Sequence, residues 1–170
     1  MADNMNRRPA SDGTAAEGQT GQDDHRKDTG QPCPTLAAEA AVLGAMLWSS
    51  DARDGVPRYV GPDDFQRHAH RVLFEALVRM HRAGEVVDHV TVGSELHFRD
   101  QLDEIGGTVA LHELTDPLTT PAPSSWPAYA TRVARAAASR RLIARLKVAI
   151  ERCQAGEDPA VVARWIGGGA

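Results

Sequence analysis

The stretch WPAYATRVARAAASRRLIARLKVAIERC, residues 126–153, decides the fold. Trp126, Tyr129, Val133, Ala137, Ile143, Leu146, Ile150 and Cys153 recur in it mostly at three, four or two such steps, the spacing of one face of an α-helix. One helix over this stretch runs roughly 42 Å at the usual rise per residue, longer than a small globular head requires, so it is predicted to project as a stalk. Gly156 is placed to stop it. Asp158-Pro159 then reads as an N-cap followed by proline at the first helical position, opening a helix from Ala160 to Ile166. The two make a helical hairpin, lopsided because Gly167-Gly168-Gly169 cuts the second arm short.

Upstream of the stalk the chain reads as a string of shorter helices. Thr35 is a candidate N-cap for a first helix whose Leu36, Ala40, Leu43 and Leu47 face a core. A loop is expected from Ser49 to Pro62, where Asp54-Gly55, Pro57 and Gly61-Pro62 break any period. Asp63 and Asp64 favour a new helix N-terminus, and Phe65, Val72, Leu73, Leu77 and Met80 form an apolar face ending near Gly84. Asp88 or Thr91 caps a third helix carrying Val92, Leu96 and Phe98. Gly106-Gly107 precedes a fourth with Val109, Leu111 and Leu114, ended by Pro117, Pro121 and Pro123. The resulting fold class is all-α: a disordered tail over 1–31, a compact helical head over 32–120, a hairpin over 121–166 and a flexible end over 167–170. The tail, from Met1 to Gln31, has almost no large apolar side chain with which to offset its ordering entropy.

A chain of 170 residues with 42% apolar residues and 5% aromatics has room for one modest core. Its net charge of −4 argues against a surface that tracks phosphates throughout, so nucleic-acid contact would have to be local and weak. Cys33 and Cys153 form no CxxC pattern, and no apolar run reaches the length of a membrane span. A reduced, cytoplasmic setting without membrane contact is expected.

Five ordered pieces of the chain resemble the N-terminal domain of DnaB-type replicative DNA helicases, over most of Pro34 to Gly156. They are Ala38-Glu39-x-x-Val42-Leu43-Gly44-Ala45-Met46-Leu47; Asp64-Phe65 with His70-Arg71-x-x-Phe74-Glu75-Ala76; Val87-Asp88-x-Val90-Thr91-Val92; Ile105-Gly106-Gly107 with Leu111-x-x-Leu114; and Tyr129-Ala130-x-x-Val133 with Arg140-Arg141-Leu142-Ile143. The resemblance implies an all-α head plus a hairpin that pairs between subunits, and a surface that receives primase or a helicase loader. A family helicase would continue into a RecA-like motor, whereas this sequence contains no G-x-x-x-x-G-K-[ST] to hold a triphosphate. The expected function is therefore oligomerisation and docking in DNA replication, with no ATPase of its own. Two rivals stand beside it: a helicase part whose motor is supplied separately, and a small DNA-binding regulator.

No catalytic, cofactor or metal site is expected. His68 and His70 fall on nearly opposite helix faces, and His70 and His81 are three turns apart, so neither pair suits one ion. The carboxylates between Glu85 and Asp116 have no nucleophile beside them and read as a solvated face that could attract a basic partner. Ile143, Leu146 and Ile150 need a cover that the short arm gives only in part, which makes them, with Arg140, Arg141 and Trp165, the expected partner or oligomer interface. Arg132, Arg135, Arg145 and Lys147 are the candidates for DNA contact.

Overall fold

Helix α1 (Pro34–Trp48) is apolar on almost every side, which suits a helix with neighbours all round rather than one lying on a surface. Ala38, Glu39 and every residue from Ala41 to Leu47 are buried, and α1 sits centrally against the helices described next. The computed structural model describes residues 34–115 and 122–168, all within the unit Pro32–Ala170. The proposed tail, Cys33, Pro117, Pro121 and the side chain of Leu114 lie outside the described residues, as do 169 and 170 of the proposed flexible end. Among the described residues all regular structure is helical.

The expected loop after α1 is instead largely helical. Ser49 caps α2 (Ser50–Gly55) by accepting from the Ala52 amide, and 3₁₀ turns follow at Val56–Arg58 and Pro62–Asp64. Arg53 in α2 donates to the carbonyls of Met46 (2.8 Å) and Leu47 (3.2 Å), satisfying orphan acceptors at the C-terminus of α1. Thr35 lies inside α1 rather than capping it, since the helix begins at Pro34. Asp63 and Asp64 open the second 3₁₀ turn, where Asp64 accepts from the Gly61 amide (2.9 Å). The helix they were expected to start, α3 (His68–Arg82), begins four residues later.

Helix α3 presents Val72, Leu73, Leu77 and Met80 to the core, with Phe65 just ahead of it stacked on Phe74 at a centroid distance of 5.0 Å. Gly84, at φ 72°, ends it: the Gly84 amide bonds the His81 carbonyl and the Glu85 amide bonds that of Met80. Asp88 rather than Thr91 caps α4 (His89–Phe98), accepting from the amides of Val90 and Thr91, while the Thr91 hydroxyl accepts from the Asp88 amide. Val92 and Leu96 are buried, but Phe98 is 83% exposed, because it lies two residues past Leu96 and hence on the other side of the helix. In α5 (Gly107–Thr115) Leu111 is buried and Val109 faces outward.

Helix α6 (Trp126–Gln154) has 29 residues and so extends roughly 44 Å. Trp126, Ala130 and Val133 join the head core, and Ala137 just beyond them is also buried. The Trp126 ring lies so close to Gly55 that a Cβ there would come within 2.2 Å of it, which explains the glycine. Its indole N–H donates to Asp51 (2.8 Å), fastening α6 to α2. Gly156, at φ 86°, closes α6, and Asp158 caps α7 (Pro159–Gly167) through the Ala160 amide.

Candidate partner interface

Two clusters hold the pieces in register. Glu39, fully buried on α1, accepts at Oε2 from Nδ1 of His70 (2.7 Å) and at Oε1 from the Gln66 amide (2.8 Å). Burial pushes the Glu39 carboxyl up, but the His70 hydrogen bond, the bonds from the Gln66 and Arg67 amides and the attraction of His70 together hold it below its ordinary value. One carboxylate on α1 thus fixes the chain segment that leads into α3, through the Gln66 amide, and α3 itself, through His70. Sequence reasoning placed Glu39 and His70 in separate motifs and did not pair them. The available signal was an acid on the inner side of an apolar helix, which must find a partner to be buried.

The second cluster ties the stalk to the head. Arg140 donates to the Asp64 carbonyl and Arg141 to the Asp64 carboxylate, so both arginines brace α6 against the 3₁₀ turn. Beyond this brace the nature of α6 changes. Ile143 is 53% exposed, Ile150 56%, and Leu146, Leu142 and Val148 are also exposed, while Ala149 is the one buried residue of the distal half. At ~100° per residue, Ile143, Leu146 and Ile150 fall within about 60° of one another and turn well away from Val133 and Ala137. Arg132 and Arg135 lie on the same outward side, nearer the head, and Lys147 flanks the stripe; all three are exposed.

Helix α7 packs on a third side of α6. Val162 is buried, as is Ala149, and Trp165 lies between two guanidinium groups, Arg145 at 5.0 Å and Arg152 at 4.8 Å from the ring centroid. Arg145 also donates to the Trp165 carbonyl, and Arg152 Nε donates to Glu157 at 2.6 Å. That bond holds the Glu157 carboxyl below its ordinary value. The structure therefore divides the cationic residues of α6: Arg140, Arg141, Arg145 and Arg152 make bonds within the chain, and Arg132, Arg135 and Lys147 face solvent. The short arm leaves Ile143, Leu146 and Ile150 uncovered, which gives one continuous outward face, basic toward the head and apolar toward the tip.

Three of the described histidines are placed by carboxylates, while His89 and His112 meet ring to ring at 5.3 Å. His68 meets Glu104, His70 meets Glu39 and His81 meets Asp54, each at 2.7 Å. The acidic stretch is likewise occupied in part, since Glu95 joins Arg79 (3.1 Å) to Arg99 (2.5 Å). No described helix is long and apolar enough to cross a membrane.

Comparison with known proteins agrees with this architecture. The family model described as DnaB-like helicase N terminal domain matches residues 31–135. Replicative DNA helicase DnaB of Mycobacterium leprae (strain TN) is 39% identical over 136 residues, covering 80% of this chain and 22% of that protein. That of Geobacillus stearothermophilus is 41% identical over 112 residues, covering 66% of this chain and 24% of the relative. The chain thus spans about a quarter of the length of these relatives. The crystal structure of the N-terminal domain of DnaB helicase from Mycobacterium tuberculosis superposes with a TM-score of 0.71 at 36% identity, over 81% of this chain and 96% of that one. A DnaB-like replicative helicase, from a structure described together with its interactions with primase, shares the fold at a TM-score of 0.63 and 21% identity, over 77% of this chain and 30% of its own. With the match lying on the central helix, the buried Glu39–His70 pair and the head half of α6, the chain belongs to the DnaB-like helicase N-terminal domain family.

Proposed function

We propose that this chain is an assembly module of a DNA-replication machine in the cytoplasm, associating through the outer side of its hairpin with a second copy or with a replicative helicase, primase or loader. The observation that carries the reading is the Ile143–Leu146–Ile150 stripe, which neither the head nor α7 covers. An apolar surface at the tip of a projecting helix costs hydration free energy until a partner removes it from water. Membership of a family whose relatives are replicative helicases supports the setting, and the helicase structure described with primase interactions supports primase as one class of partner. The sequence has no phosphate-binding loop, so we infer that it hydrolyses no ATP by itself.

The DNA-binding reading has thinner support: Arg132, Arg135 and Lys147 face solvent, but Arg145 is engaged with Trp165 and the face they share turns apolar toward the tip. The test is size exclusion with light scattering on the chain alone and mixed with separately purified DnaB-type helicase, primase or loader, with ATP hydrolysis measured on each fraction. A self-associated species or a stoichiometric complex, with no hydrolysis by the chain alone, is expected. A monomer that binds none of these, or turnover by the chain alone, overturns the reading.

A further inference from the structure

The head carries a second concave surface along the solvent side of α3. Two hollows of about 400 and 450 Å³ adjoin there and share Pro57, Val78 and Arg82 as a common wall. One is floored by apolar groups, Val60, Pro62 and Phe74 among them. The charge around them is one-sided: Arg53, Arg58, Arg79, Arg82 and His81 stand against Asp54 and Glu75, in a chain whose net charge is −4.

We propose that this groove receives a short acidic segment of a partner protein that also carries apolar side chains. Of the two acids in the lining, Asp54 is already engaged by His81 at 2.7 Å. The His81 hydrogen bond, together with the positive fields of Arg58 and Arg53, holds the Asp54 carboxyl below its ordinary value. Arg53 is fixed by the α1 carbonyls, whereas Arg58 and Arg82 are exposed. Arg79 is held by Glu95 through Nε and its Nη2 is buried, so it adds positive charge beside the groove while Arg58 and Arg82 are left to meet a carboxylate directly.

The apolar floor separates this occupant from nucleic acid. A phosphodiester chain carries closely spaced charges and has no aliphatic groups for Val60, Phe74 and Val78. A peptide can set carboxylates at the arginines and Leu or Phe side chains between them, burying apolar area with complementary charge around it.

The test is an amide-resolved NMR titration of the full chain with a capped synthetic peptide alternating aspartate or glutamate with leucine and phenylalanine. A matched peptide with serine in the apolar positions and a thymidine oligonucleotide serve as the other probes. Saturable shifts at Tyr59, Val78, Arg79 and Arg82 with the first probe alone are expected, weakened at least tenfold in Arg58→Glu/Arg82→Glu. The milder Arg58→Gln/Arg82→Gln pair stands in should the charge reversal disturb folding, and the oligomeric mass stays that of the wild type in either, which separates this groove from the hairpin. Equal shifts with the serine peptide or the oligonucleotide, no shifts at the groove up to millimolar peptide, or undiminished binding by both variants overturn the proposal.

Discussion

The two halves of α6 do opposite things with their apolar side chains. The half nearer the head spends Trp126, Ala130, Val133 and Ala137 on burial inside this chain, and an edge-to-face contact between Tyr59 and Trp126 at 5.6 Å locks it further. The distal half has five large aliphatic side chains to the other half's one, yet leaves Leu142, Ile143, Leu146, Val148 and Ile150 in solvent and buries only Ala149. The boundary falls at Arg140 and Arg141, which bond to the Asp64 turn of the head. Hydrophobicity along one helix therefore divides into a part that folds the protein and a part available to another molecule.

Substituting the same charge on both sides of that boundary breaks the comparison most sharply. Val133→Asp places an unpaired carboxylate in the core and is expected to destabilise by about 5 kcal/mol, unfolding the head in a circular-dichroism melt. Glu39→Ala is next, at about 3–4 kcal/mol by urea denaturation, because it leaves His70 buried and the Gln66 amide without its acceptor. The same pair sets an acid limit. The folded Glu39 carboxyl titrates below 4.5, so its contribution is complete above about that pH and is lost as pH falls through the folded value. Urea midpoints that stay level from neutral pH through acid would contradict this role.

Smaller effects sharpen the boundary. Gly55→Ala should cost about 1–2 kcal/mol despite the better helix propensity of alanine, since its Cβ would need the Trp126 ring to move from 2.2 Å away. Double-mutant analysis with Trp126→Phe would show coupling if the clash is the cause. The smallest change in stability, under about 0.5 kcal/mol, is expected for Ile150→Asp, a surface substitution on the outward side of the hairpin. A large loss there would mean that the distal half is held in cis after all.

Much of this was legible because it depends on local chemistry. The periods of α3 and α6, the glycines that end them at Gly84 and Gly156, and the caps at Asp88 and Asp158 can all be read from neighbours in sequence. What escaped is what only tertiary contact creates. Helix α2 is six residues long and flanked by Gly55 and Pro57, so its local signal is that of a loop; it is held by Arg53 on the α1 carbonyls and by Trp126 on Asp51. Size and apolarity alone do not say which way Phe98 faces; it is exposed because the buried face is set by Val92 and Leu96 four residues apart. At the candidate interface, the stripe could be read from spacing, whereas the engagement of Arg140 and Arg141 with Asp64, and of Arg145 with Trp165, required the folded chain.

The central claim, that the distal half of α6 is an association surface, is tested most directly by sedimentation equilibrium on the wild type and on Ile143→Asp/Leu146→Asp, alone and with the helicase or primase partner. The account expects a concentration-dependent mass or a defined complex in the wild type, its loss in the variant, and an unchanged urea midpoint for the head. The same mass and the same complex in both proteins would contradict it.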